Sequence, residues 1–89
     1  MGYPVKVLYD TSSAGNITDS SILSAALRNE GVSFLSEHSG DGNVYIRIGD
    51  LNYAPRYFSR HARKLIGLAK EAIQRHEEGR IEDLVRHPI

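Results

Sequence analysis

Asn43-Val44-Tyr45-Ile46-Arg47-Ile48-Gly49 alternates cleanly between apolar and polar positions, and this alternation decides the fold class. Val44, Ile46 and Ile48 point one way, and Tyr45 and Arg47 the other. A period of two marks a strand with one face on a core and the other toward solvent. Such a strand needs pairing partners and something apolar to cover one face. Just upstream, Val32 to Glu37 is a second β-rich run, and His38-Ser39-Gly40-Asp41-Gly42 joins the two. A Gly-containing connection of this length predicts a hairpin.

Further upstream the pattern changes from two-residue to helical spacing. Thr18 is the expected N-cap, with Ile17 and Ile22 placed for a hydrophobic staple and Asp19 in the first turn. Ile22, Leu23, Ala26 and Leu27 make one apolar face, and Gly31 follows the end. Pro4 to Asp10 reads as a strand, and Thr11-Ser12-Ser13-Ala14-Gly15-Asn16 as a loop. Downstream, a long helix starts near Pro55, runs to about Glu78 and stops at Gly79. Phe58, Ala62, Leu65, Ala69, Ala72 and His76 recur at helical spacing along it. The tail, Ile81 to Arg86, predicts one more turn before Pro88. The expected architecture is α+β: a βαββα order, with a three-stranded sheet and two helices packed on one face. The open face then carries Tyr45 and Arg47, joined by Lys6, Leu8, Ser33 and Leu35.

The chain has 89 residues, 25% charged and 40% apolar, which fits one globular domain over 1–89. A chain of this size buries only about 60–65% of its unfolded surface, so a partner or a second copy adds useful stability. It has no cysteine, and eleven basic residues balance eleven acidic ones. The first fits a reducing compartment, and the second argues against bulk nucleic-acid binding while leaving room for a polarised surface. No apolar run is long enough for a membrane span, and Met1-Gly2-Tyr3-Pro4 has no secretory pattern. The cytoplasm is the expected location, that of the host if the chain is phage-encoded.

Charge is distributed unevenly along the long helix. Pro55 to Lys70 holds five basic residues, Arg56, Arg60, Arg63, Lys64 and Lys70, and no acid, whereas Glu71 to Asp83 holds five acids against two arginines. Cations at a helix start oppose the dipole, and Arg56/Arg60 and Arg60/Lys64 are like charges at four-residue spacing. A sequence tuned for stability alone would reverse the two halves. The basic half therefore predicts a surface for an acidic protein or a phosphate backbone. A solvated face paired with Asp41 or Asp50 is the plainer alternative. Tyr45 and Arg47 on the open sheet face form a second candidate surface, for stacked bases or for a homodimer. Gly67, on the polar side of the helix, suits close approach of a partner or marks drift. His61 and His76 flank the apolar face as partly buried packing residues. The four histidines show no metal-ligand spacing, no carboxylate pair is set for acid–base work, and no serine lies in a nucleophile elbow. The expectation is no enzyme, no metal and no cofactor.

The stretch from Val7 to Thr18 resembles the phosphate-binding loop of flavodoxin-like proteins, a strand ending in an aromatic before a hydroxyl- and glycine-rich turn. That resemblance implies an anion site at Thr11, Ser12, Ser13, Gly15 and Asn16. It covers about the first quarter of the chain, and flavin is not expected. The element order is similar to that of DinI-like regulators, which bind a recombinase, although the long helix starts basic here. In size and in lacking catalytic motifs, the chain is similar to phage- and plasmid-encoded inhibitors of host machinery, anti-CRISPR proteins among them. The leading expectation is a non-catalytic binding protein that regulates or inhibits a larger protein or nucleoprotein complex. A nucleic-acid-binding module using the basic half-helix comes second, and a nucleotide- or anion-binding protein using the Ser/Gly loop third.

Overall fold

The computed structural model describes residues 2–86, with side chains through residue 81. Its elements are β1 (Val5–Tyr9), α1 (Ala14–Asn29), β2 (Leu35–His38), β3 (Tyr45–Ile48), β4 (Leu51–Tyr53), α2 (Pro55–Arg60) and α3 (Ala62–Arg86). The α+β class is as expected, but the sheet has four strands, not three, in the order β2-β1-β3-β4. β1 runs parallel to β2 and antiparallel to β3, and β3 runs antiparallel to β4.

The hairpin expected between β2 and β3 does not form, because β1 lies between them. After α1 the chain returns parallel to β1, so β2 ends at the same end of the sheet as β1 does. The next loop must cross over that end before β3 can start antiparallel on the far side. The hairpin in the fold joins β3 to β4, with Ile48 paired to Leu51. Its two-residue loop is Gly49-Asp50, and Gly49 has φ 61°, the positive value a type II′ turn requires at its first position. Leu51-Asn52-Tyr53 is too short to show an alternation, which is why the fourth strand left no signal.

Val5 and Val7 of β1, with Val44, Ile46 and Ile48, form one apolar sheet face. Leu23 and Leu27 of α1, Phe58 of α2, and Leu65 and Ala69 of α3 close over it in a single cluster. Each large side chain fully buried there contributes roughly 1.5–3 kcal/mol. The opposite face is the open one. Register places Leu35, Lys6, Arg47 and Asn52 in one cross-strand row, and Glu37, Leu8 and Tyr45 in the next. Ser33 lies before β2 and does not join them. Leu8 is buried between its cross-strand neighbours, whereas Leu35 at the edge is exposed.

Helix α1 starts a turn earlier than Thr18 predicts. Ser13 is the N-cap, with extended backbone, and its Oγ accepts a hydrogen bond from the Asn16 N–H at 3.2 Å. Thr18 instead donates its hydroxyl to the Ala14 carbonyl at 3.0 Å, inside the first turn. The expected staple does not form: Ile17 and Ile22 are 48% and 60% exposed, and Ser24 takes the buried position beside Leu23. The long helix is broken. α2 ends at Arg60, His61 takes φ −126° and ψ 37°, and α3 then continues through Gly79 to Arg86. Phe58 and Leu65 are two turns apart on one face, so the periodicity passes straight through His61 and hides the break. Nothing in the local sequence marks it.

Candidate nucleic-acid interface

The elbow between β4, α2 and α3 is built from short-range rules. Pro55 opens α2 at a position that lacks a hydrogen-bonded N–H anyway, and no side chain caps the helix. Phe58 anchors α2 in the core, and Leu65 anchors α3. His61 joins them: its N–H donates to Tyr57 at 3.0 Å and its carbonyl accepts from the Leu65 N–H at 3.0 Å. With those anchors set, four-residue spacing lines up Tyr53, Tyr57 and His61. The Tyr53 and Tyr57 rings stack with centroids 5.5 Å apart at 27°. The Tyr57 and His61 rings lie 4.5 Å apart at 42°. Tyr57 is 37% exposed, and His61 is exposed rather than partly buried as its position predicts. His76, by contrast, is half-buried and meets the edge of Tyr3.

The five basic residues lie on two helices rather than one. Arg56 and Arg60 belong to α2, and Arg63, Lys64 and Lys70 to α3. The single helical face expected for Arg56, Arg60, Arg63 and Lys70 is therefore interrupted at His61. All five are exposed, and none has an acidic partner within 4.0 Å among the described residues. The pairing with Asp41 or Asp50 is not present. Arg56 and Arg63 each oppose a helix dipole at a start without acids, roughly 0.3–1 kcal/mol apiece, whereas Arg60 lies in the favourable last turn of α2. Acids that do pair are elsewhere: Glu71 with Arg75, Glu77 with Arg80, Glu37 with Lys6. Gly67 lies on the exposed side of α3, and a Cβ there would meet open space.

Tyr45 and Arg47 form a separate surface. Tyr53 pairs with Ile46 on the helix-covered side, while Tyr45 and Arg47 occupy the other, so the sheet stands between the two groups. Arg47 donates through Nε to Asn52 Oδ1 at 2.9 Å, and its guanidinium lies 6.0 Å from the centre of the Tyr45 ring.

The loop after β1 is organised around a carboxylate. Asp10 Oδ1 accepts the Ser12 N–H at 2.9 Å, and Oδ2 accepts the Gly42 N–H at 2.9 Å. These two backbone donors, Ser12 first, hold the Asp10 pKa below the usual carboxylate value. His38 Nε2 lies 3.6 Å from the same carboxylate. Asn16 donates its side-chain amide to the Gly42 carbonyl at 2.9 Å, and the Ser39 N–H donates to Tyr9 at 2.6 Å. Asp10 and Asn16 thus pin the loop that crosses over β1. Of the anion-site residues, Ser12 and Asn16 have their N–H groups engaged, Ser13 is a cap, and Thr11 and Gly15 are exposed. An incoming anion would meet the Asp10 charge at the nearest donors.

The cations are legible in the sequence, and the aromatic row is not. The spacing Tyr53-x3-Tyr57-x3-His61 was the available signal, obscured because Tyr53 falls in a strand and His61 at a break. Among known proteins, no family, curated protein or solved structure matches the chain. No helix among the described residues is long and apolar enough to cross a membrane.

Proposed function

We propose that the chain is a non-catalytic binding module that holds single-stranded nucleic acid on the elbow of β4, α2 and α3. One observation carries this reading: α2 and α3 present five exposed cations without acid partners among the described residues, and the same two helices meet at the row of aromatic rings. Arginine and lysine neutralise phosphates and release counterions, giving affinity that falls steeply with salt. Tyr57 and His61 are the exposed members of the row, and Tyr53 is half-buried against the core. Exposed rings stack on the faces of unpaired bases whatever their identity. A duplex hides those faces, so the aromatic row favours a single strand. The balanced net charge is no obstacle, because no acid lies on α2 or on α3 before Glu71. A regulator of a larger nucleoprotein complex would use the same elbow. An acidic protein surface would satisfy the arginines but has no particular need of the ring row.

Fluorescence anisotropy with labelled fifteen-nucleotide oligo-dT and oligo-U, and with a duplex of equal length, tests the proposal. Single strands should bind more tightly than duplex, with log K falling by about 0.7 per phosphate contact for each unit of log salt. Tyr57→Ala should weaken binding by roughly 5- to 100-fold, the value of one stacked base. Arg56→Glu/Arg60→Glu/Arg63→Glu should abolish it. Absence of salt-dependent binding, or a Tyr57→Ala variant that binds as well as the parent, refutes the reading.

A further inference from the structure

A second concentration of positive charge lies away from the elbow, around a cavity at the base of the sheet. Tyr3, Lys6, Arg47, Gly49, Arg75 and His76 line it, together with Gly2, Pro4, Asp50 and Ala72, and its volume is about 690 Å³. That is within the range of small-molecule sites, roughly 300–1,000 Å³. Three elements supply its cations: Lys6 from β1, Arg47 from β3 and Arg75 from α3.

One pairing at this cavity is unfavourable in itself. Lys6 and Arg47 are direct cross-strand partners, a placement that destabilises a sheet when the charges are alike. Lys6 and Arg75 each have a carboxylate partner outside the cavity lining, and Arg47 has none among the described residues. Lys6 Nζ lies 3.0 Å from Glu37 Oε1 on the open face, Arg75 pairs with Glu71 along α3, and Arg47 bonds the neutral Asn52. Asp50 is the single acid in the lining. The wall also has an apolar side in Tyr3, Pro4 and Ala72. The Tyr3 ring meets His76 edge-on, with centroids 5.6 Å apart at 73°.

We propose that this cavity binds the phosphate group of a small phosphorylated molecule. The dianion sits between Lys6, Arg47 and Arg75, where arginine forks bond two phosphate oxygens at once. It removes the repulsion between the cross-strand pair. The remainder of the ligand lies along Tyr3 and Pro4. The site is independent of the elbow and does not rest on the nucleic-acid reading.

Amide chemical-shift titrations at constant ionic strength test it, with inorganic phosphate, adenosine monophosphate and adenosine as probes. Phosphate and the monophosphate should give saturable shifts at Tyr3, Lys6, Arg47, Gly49 and His76, and adenosine none. Tighter binding of the monophosphate identifies an organic phosphate as the source, and equal binding a free ion. Arg47→Gln and Arg75→Gln should each weaken binding by about tenfold or more. Spectral dispersion reports whether each variant is folded. The triple glutamate variant of the elbow should bind as the parent does. Non-saturating shifts, shifts confined to the elbow, or unchanged affinity in both glutamine variants would overturn the proposal.

Discussion

Asp10 shows how one side chain can hold a topology. Its two oxygens tie the start of the α1 loop to the loop that crosses β1, through Ser12 and Gly42. Those bonds need the ionised form, so the folded pKa is depressed. The sign of the linkage follows. Stability from Asp10 is fully present above the unfolded pKa and is lost as pH falls through the lower folded value. Protection of the Gly42 and Ser12 amides, relative to their intrinsic exchange at each pH, should therefore fall below about pH 4, the ordinary aspartate range. Asp10→Asn should reproduce that loosening at neutral pH, since a neutral amide offers one acceptor where two are needed. Exchange rates in Asp10→Asn that match the parent would show that the crossing loop is held by other contacts.

At the scale of elements, legibility followed the length of each pattern. β3 was readable because Val44, Ile46 and Ile48 alternate and all three are buried. The apolar stripe from Phe58 to His76 was readable for the same reason at helical spacing. Pairing order was not, because an alternation says which face a residue occupies and nothing about its neighbour strand. Ser13 and Thr18 are both N-cap residue types, and the position of Leu23 and Leu27 over the sheet decides between them. The difference is measurable. Ser13→Ala should cost about 1 kcal/mol, the value of an N-cap, whereas Thr18→Ala should stay within about 0.5 kcal/mol. Equal losses in chemical denaturation would put the helix start back at Thr18. The cations of the candidate interface were legible from composition alone. Their ring row depended on a turn of chain at His61 that no residue announces.

At the scale of the whole molecule, charge is segregated between parts that do not neutralise each other. The elbow collects unpaired cations, while no acid lies on α2 or on α3 before Glu71. The broken helix alters what charge reversal should do to stability. In Arg56→Glu/Arg60→Glu/Arg63→Glu, the first and third changes suit the starts of α2 and α3, and the second removes a favourable cation from the end of α2. The net change should lie between zero and a gain of about 1 kcal/mol at low salt, shrinking as salt screens it. Thermal melting at two ionic strengths reads this directly. A large fall in Tm would mean that the arginines hold the elbow together.

β1 is the first strand in the chain, and both of its edges are occupied by strands that come much later. Lys6 meets Leu35 on one side and Arg47 on the other. During synthesis β1 therefore has no strand partner until β2, which lies beyond the whole of α1, has emerged. Only the β3–β4 hairpin can form from neighbours, within microseconds. The remaining pairings close long loops before they return any contact energy, so this small chain should reach its native state more slowly than a helical protein of equal size.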